Sequence, residues 1–271
     1  MALPGSGPLS FSAIQTEFGG SNPIALSEYY RGGAYVGSGA PNVPTSGAIA
    51  LSTFYSAQAA VVLNITSSTS NYNILTAATA AGYNAATDTT PIIVNVAGGV
   101  VVSGSGTYAM RTGVLNASSS LTINITGSIN GYTGADGTPV ADAGSVGGDA
   151  VYWETDGTSI VNVLAGAYLQ GGGGGGGGGG QRGIRLGPYV AKYGCEFAEP
   201  FYGSYGSTGA AGGFGLAGAT GGTGTYGGGS IYCVTQAVGA GGAGGAAGFA
   251  LRKNGKTVTI NNSGTIAGST A

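Results

Sequence analysis

Residues 123–131, Ile-Asn-Ile-Thr-Gly-Ser-Ile-Asn-Gly, return at 260–268 as Ile-Asn-Asn-Ser-Gly-Thr-Ile-Ala-Gly, identical at five of nine positions. The heart of this element, an asparagine between two apolar residues, stands at Leu63-Asn64-Ile65, Val94-Asn95-Val96, Ile123-Asn124-Ile125 and Val161-Asn162-Val163, with its asparagines 31, 29 and 38 residues apart. Around these positions, residues 61–170 alternate apolar and polar side chains and are rich in Val, Ile and Thr, the pattern of half-buried strands. Recurrence near this period predicts stacked or equivalent β units, a solenoid or a β-prism. A β-sandwich whose strands merely share the tripeptide is the plainer alternative. If the copy at 260 pairs with the earlier ones, the chain leaves this β platform near Gly171 and returns near Lys256.

The excursion opens on ten consecutive glycines, Gly171–Gly180, and holds further glycine-rich runs at 206–218, 221–230 and 239–248. Such tracts usually serve as flexible linkers. A linker, however, has no need of four runs of similar length separated by short apolar and aromatic segments. The alternative is a bundle of polyglycine-II helices, which rise about 3.1 Å per residue, so that ten glycines span about 31 Å. Bonds between neighbouring backbones would offset the large entropy loss of ordered glycine. The expected fold class is therefore mostly β with a glycine-rich polyglycine-II helix bundle and short N-terminal helices. Its parts are residues 1–60, a β platform over 61–170, the glycine-rich region over 171–250, and a return strand over 251–271.

Four runs alternating in direction bring the loop 181–205 and the segment 231–238 to the same far end. The first loop carries Tyr189, Tyr193, Phe197, Phe201, Tyr202 and Tyr205 together with Arg182 and Arg185, and the second carries Tyr232 and Gln236. Tyrosine offers a large, rigid contact at low entropic cost, and loops on a rigid scaffold are where binding resides. These ten residues are the expected recognition surface. The plainer reading is that the aromatics seal the end of the glycine region. The only two cysteines, Cys195 and Cys233, fall one in each segment, as two inert thiols or as one disulfide. A bridge over their 38-residue separation would stabilise by about 3–4 kcal/mol.

Residues 1–60 use one short element three times: Leu9–Ile14, Ile24–Tyr30 and Ile49–Tyr55. Ser12 and Gln15 have the spacing of a capping box, and Gly19-Gly20 stops the helix they open. Three such small helices are expected to lack a core of their own and to need another surface. The apolar side chains available for that docking are Phe11, Ile14, Phe18, Leu26, Tyr29, Tyr30, Leu51, Phe54 and Tyr55. The wording SFSAIQTEFGGSNPIALSEYYRGG at 10–33, followed by IALSTFYSA at 49–57, resembles a short N-terminal module of tailed-phage fibre and minor tail proteins. The glycine runs separated by aromatic loops are similar to the distal adhesins of T-even-like phages, which bind outer-membrane proteins through loops on a polyglycine-II sandwich. The resemblance implies a virion protein of the phage tail, extracellular once released. It would dock on other tail or baseplate proteins through residues 1–60 and meet a bacterial surface receptor, an outer-membrane protein or a glycan, at the tip. Fibres of this kind are usually trimers, and a single copy capping another fibre is the other arrangement. A purely structural baseplate, tail or capsid decoration protein is the alternative function.

Other classes find little support. A net charge of −2 with eight scattered basic residues does not make the concentrated positive surface that nucleic acid requires. No stretch of 18 apolar residues predicts a membrane span, and the first twenty residues lack the basic start and apolar run of a secretion signal. The absence of histidine removes the commonest general base. Paired carboxylates could hydrolyse a glycan, and Asp149, Glu154 and Asp156 flank an acceptable sugar-stacking pair, Tyr152-Trp153. Asp136, Asp142, Asp149 and Asp156 are the only candidates for a calcium site and follow no EF-hand spacing. No enzyme activity, cofactor or metal is expected.

Overall fold

The computed structural model describes residues 3–37, 40, 42–57, 59–138, 140–186, 200–225 and 233–271. Strands β1 (Val61–Ile65), β2 (Thr69–Ser70) and β3 (Tyr72–Asn73) make one turn of a coil, which the chain then repeats. The second turn is β4 (Ile92–Val96), β5 (Val101–Ser103) and β6 (Tyr108–Arg111), and the third is β7 (Leu121–Ile125), β8 (Ser128–Asn130) and β9 (Asp149–Tyr152). In the fourth, β10 (Ser159–Val163) and β11 (Tyr168–Gln170) lead into an excursion carrying β12 (Ile184–Leu186), β13 (Pro200–Tyr202) and β14 (Cys233–Gln236). β15 (Leu251–Arg252) then closes the turn, and β16 (Thr259–Asn262) and β17 (Thr265–Ala267) begin a fifth. Corresponding strands stack in parallel into three sheets, ordered β1-β4-β7-β10-β16, β2-β5-β8-β11-β17 and β3-β6-β9-β15.

The asparagine repeat explains the register. Alternation points Val61, Leu63 and Ile65 into the coil, and likewise Ile92, Val94, Val96, Leu121, Ile123, Ile125, Val161 and Val163, all buried in one apolar core. The asparagines therefore point outward, and the in-register pairing sets them one above another. Their amides form a ladder: Asn95 donates to Asn64 at 2.9 Å, Asn124 to Asn95 at 2.9 Å, Asn162 to Asn124 at 2.7 Å and Asn261 to Asn162 at 2.8 Å. A one-residue slip would turn every asparagine into the core, so the ladder and the apolar face enforce the same register. Asn124→Ala removes two rungs and Asn64→Ala only one. At about 0.5–1.5 kcal/mol per bond, the first should cost about 1–3 kcal/mol and the second about half of that, read from denaturant midpoints.

The expected class, mostly β with a polyglycine-II helix bundle, is corrected here. What organises the chain is a stack of parallel sheets, two of them five-stranded, and the described residues include two short α-helices, α1 (Phe11–Phe18) and α2 (Ile74–Ala80). The physical reason is that the repeated apolar-Asn-apolar strands bury a continuous core when stacked. The glycine-rich segments have no side chains to bury and are extended chains inserted between strands of that stack.

Residues 131–148, placed by sequence in the platform, belong with those inserts. The ten glycines 171–180 are all buried, and segments 131–138, 142–148, 206–213, 216–225 and 239–248 run beside them. Bonds recur at every third residue. Gly172, Gly175 and Gly178 donate to the carbonyls of Gly148, Ser145 and Asp142, while Gly174, Gly177 and Gly180 donate to those of Leu216, Ala219 and Gly222, all at 2.7–3.0 Å. Gly206, Gly209, Gly212 and Gly215 donate back to Gly180, Gly177, Gly174 and Gly171. The second and third runs also begin and end differently from expectation, because the chain reverses at Phe214-Gly215, where glycine takes a φ of 71°.

The N-terminal residues correct a second expectation. Ser10, not Ser12, caps α1, accepting from Ala13 N at 3.2 Å. The other two copies are single 3-10 turns, Leu26–Tyr29 and Leu51–Phe54. Together they do form a core, with Ile14, Phe18, Tyr29, Val36, Val43 and Phe54 buried in a cluster separate from that of the coil. Edge-to-face rings, Phe18 on Phe54 at 6.2 Å and Tyr29 on Phe54 at 6.4 Å, knit the three copies together.

Candidate functional site

The two loops expected at the far end meet in one antiparallel sheet, with β12 between β13 and β14. This sheet begins four residues beyond Gly180, where the cross-bonded segments end, so a rigid assembly carries it. Gly183 donates to Thr225 O at 3.0 Å, and Gly203 to Gly183 O at 2.9 Å, tying the sheet to its support. On it, Arg182 lies over the rings of Tyr202 and Tyr205, its guanidinium carbon 4.6 and 5.2 Å from their centroids. Both tyrosines are about half exposed, at 53% and 47%. A guanidinium close to two aromatic rings is held in place by cation–π attraction. Arg185, Phe201 and Gln236 take their backbone positions in the same sheet. Tyr189, Tyr193, Phe197, Tyr232 and the Cys195 half of the proposed disulfide lie outside the described residues, so the Cys195–Cys233 pairing does too.

Sequence reading missed a third element at this end. The hairpin joining 131–138 to 142–148 reaches the level of Gly179, whose carbonyl accepts from Val140 and Ala141 at 2.9 Å. Val140 is 52% exposed at a φ of 88°, a conformation that a β-branched residue rarely takes. Its signal was in the sequence: Gly131, Gly134 and Gly137 repeat at the three-residue interval of the later runs, but alanine, aspartate and tyrosine between them hide it.

The carboxylates considered for hydrolysis are engaged elsewhere. Glu154 holds Arg111 through both oxygens and also accepts from Gly113 N at 3.0 Å. That carboxylate, and then the Tyr108 hydroxyl, raise the Arg111 pKa above its ordinary value. Asp149 binds Arg252 through both oxygens and accepts from Phe249 N, and it likewise raises the Arg252 pKa. Asp156 pairs with Lys256 at 2.8 Å. Trp153 is fully buried in the coil and offers no face to a sugar, which corrects the stacking platform read from sequence. Among the described residues, no three acidic or sulfur side chains converge on a point that could hold a metal.

Of the expected docking residues, Ile14, Phe18, Tyr29 and Phe54 are buried within the N-terminal core itself. Tyr55 donates to Gly7 O at 2.7 Å and Tyr30 to Gly47 O, so these rings brace the module. Phe11, 40% exposed, and the half-buried Leu26 and Leu51 remain on its surface.

A parallel coil bearing cross-bonded glycine chains and an aromatic tip narrows the comparison. The sequence pattern of the family described as phage tail fibre adhesin Gp38 matches residues 60–271. The chain belongs to that family. The adhesin is thus a component of the virion tail that attaches the particle to its host, and it is extracellular once released. A solved structure, the gp37-gp38 adhesin tip complex of the bacteriophage S16 long tail fibre, matches 98% of this chain and 100% of its own at 21% identity and a TM-score of 0.51. At that identity the likeness concerns the fold, and it agrees with the parallel-sheet architecture that displaced the helix bundle. No curated protein sequence matches the adhesin.

Proposed function

We propose that the adhesin holds its host receptor at the sheet of β12, β13 and β14, with Tyr202, Tyr205 and Arg182 as anchors. The receptor is an outer-membrane protein or surface glycan, and no step of catalysis is involved. The observation that carries this reading is the Arg182–Tyr202–Tyr205 cluster, with both tyrosines about half exposed, on a support of cross-bonded chains. The hairpin at Val140 adds a third loop to the same surface. Anchors of this kind, aromatic and Arg on a rigid base, supply most of the energy of an interface. Adsorption of phage carrying tip substitutions is the test, and normal adsorption with all three anchors removed would sink the reading.

The N-terminal module is the end that docks on another tail fibre protein. The S16 adhesin tip was solved as a complex of gp37 and gp38, which supports a fibre partner of that kind here. Three copies of one short element around a shared core suit the end of a fibre, and a homotrimer of the adhesin itself is the second arrangement. Replacing Phe11, Leu26 and Leu51 together by serine should leave purified protein bound to cells yet strip it from assembled particles. Immunoblots of purified virions check this, and unchanged incorporation would move the docking surface elsewhere.

A further inference from the structure

On the side of the coil formed by β3, β6, β9 and β15, at the foot of the glycine inserts, lie two adjoining depressions. One, of about 340 Å³, is lined by Thr107, Tyr132, Val146, Asp149 and Arg252. The other, of about 240 Å³, is lined by Asn71, Ser105 and Tyr108 and shares Gly106 and Thr107 with the first. Sharing two residues, they adjoin as one trough, with Tyr132 lining its first part and Tyr108 its second, of a size suited to a small-molecule ligand (about 300–1,000 Å³).

Its walls are fixed. Tyr108 stacks on Tyr152 with centroids 5.8 Å apart, and Arg111 lies over the Tyr108 ring at 5.5 Å. Arg252 is held by both oxygens of Asp149 and lies over the Phe249 ring, 4.0 Å from its centroid. The Asn71 amide is held against Ser105, donating to its hydroxyl at 2.5 Å and accepting from its N–H at 3.0 Å. The two charged groups in the trough therefore cancel, and no other charge lines it. The hydroxyls of Thr107 and Tyr132, by contrast, have no hydrogen-bond partner among the described residues.

We propose that this trough binds a neutral hexose oligosaccharide, at a site separate from the tip. The Tyr132 ring, which lines the trough and carries no stacked ring or cation among the described residues, matches the C–H face of a pyranose ring, and the free hydroxyls match a ligand that both donates and accepts. Cancelled charge disfavours an anionic chain, and an open trough suits a linear one. A weak second contact of this kind would hold the particle at a sugar-coated surface while the tip finds its receptor.

Saturation-transfer NMR on the full chain, with six-unit α-1,4-glucan, β-1,4-glucan and β-1,4-mannan as probes and hexagalacturonate as the anionic comparison, tests it. At least one neutral probe should receive magnetisation in the wild type. Its affinity should fall about tenfold or more in Tyr132→Ala, which removes an aromatic wall. Thr107→Trp, a change at an exposed position that fills the trough without touching the core, should do the same. The double variant Tyr202→Ala, Tyr205→Ala should bind the probe as before, which separates this site from the tip. Transfer to no neutral probe, preference for hexagalacturonate, or wild-type binding in Thr107→Trp would each overturn the proposal.

Discussion

Gly177→Ala, the addition of one methyl group at the centre of the glycine inserts, should abolish adsorption. Gly177 donates to Ala219 O at 2.8 Å and accepts from Gly209 N at 2.8 Å, so two neighbouring chains bracket it. A Cβ there would sit 1.9 Å from Gly242 O and 2.5 Å from Gly242 C, on a third chain. A flexible side chain could move aside, but this obstacle is backbone, itself bonded through Gly242 N to Gly178 O at 2.8 Å. Overpacking a well-packed core costs about 1–3 kcal/mol, and a backbone collision with no route of relief belongs at or above the top of that range. The chains must separate, and the three-residue rhythm of bonds then fails for their neighbours as well. Ala211→Val is the matched control, because Ala211 faces solvent on a peripheral run. Calorimetry should show the insert of Gly177→Ala melting early while the coil, with its own core, persists. An unchanged melt and normal adsorption would mean that the inserts are far looser than their hydrogen bonds imply.

How much of this was legible in sequence depends on which force specified each part. The coil was readable because burial is periodic: Leu63, Val94, Ile123 and Val161 recur with an asparagine beside each, and the structure stacks those asparagines rung on rung. The class was nevertheless misjudged. Long glycine runs dominate the composition, yet they are passengers on the parallel sheets. The separate N-terminal core escaped notice because its aromatic contacts join residues as distant as Phe18 and Phe54, and no local pattern announces a meeting of that kind. The inward turn of Trp153 was missed for a different reason. It follows β9 directly, where Val151 points into the coil and Tyr152 outward, so alternation turns Trp153 inward, and reading Tyr152-Trp153 as one stacking pair overlooked that. At the tip, composition singled out two segments that the structure joins in one sheet, since tyrosine-rich loops stand out against glycine. It could not name the 131–148 hairpin, whose glycine rhythm is broken by ordinary side chains.

The tip itself should fail in a graded way. Tyr202→Ala and Tyr205→Ala each remove one face of the clamp on Arg182, and an anchoring aromatic at an interface centre is worth about 2 kcal/mol or more, roughly thirtyfold in affinity. The double variant should lose more than either but less than the product, because both rings hold the same guanidinium and the second loss finds it already released. Arg182→Lys is the sharper probe. Lysine keeps the charge but lacks the planar group that lies flat on two rings and presents several N–H donors at its edge. If the receptor reads that edge, Arg182→Lys should fall nearly as far as Arg182→Ala. If the arginine only spaces the two rings, lysine should restore most of the binding. Adsorption rate constants for the two Arg182 variants beside the tyrosine variants, with melting temperatures to show that each tip remains folded, decide between the two. Wild-type adsorption in the Tyr202→Ala, Tyr205→Ala double variant would remove the clamp from the binding surface altogether and leave the Val140 hairpin as the described loop that remains to carry it.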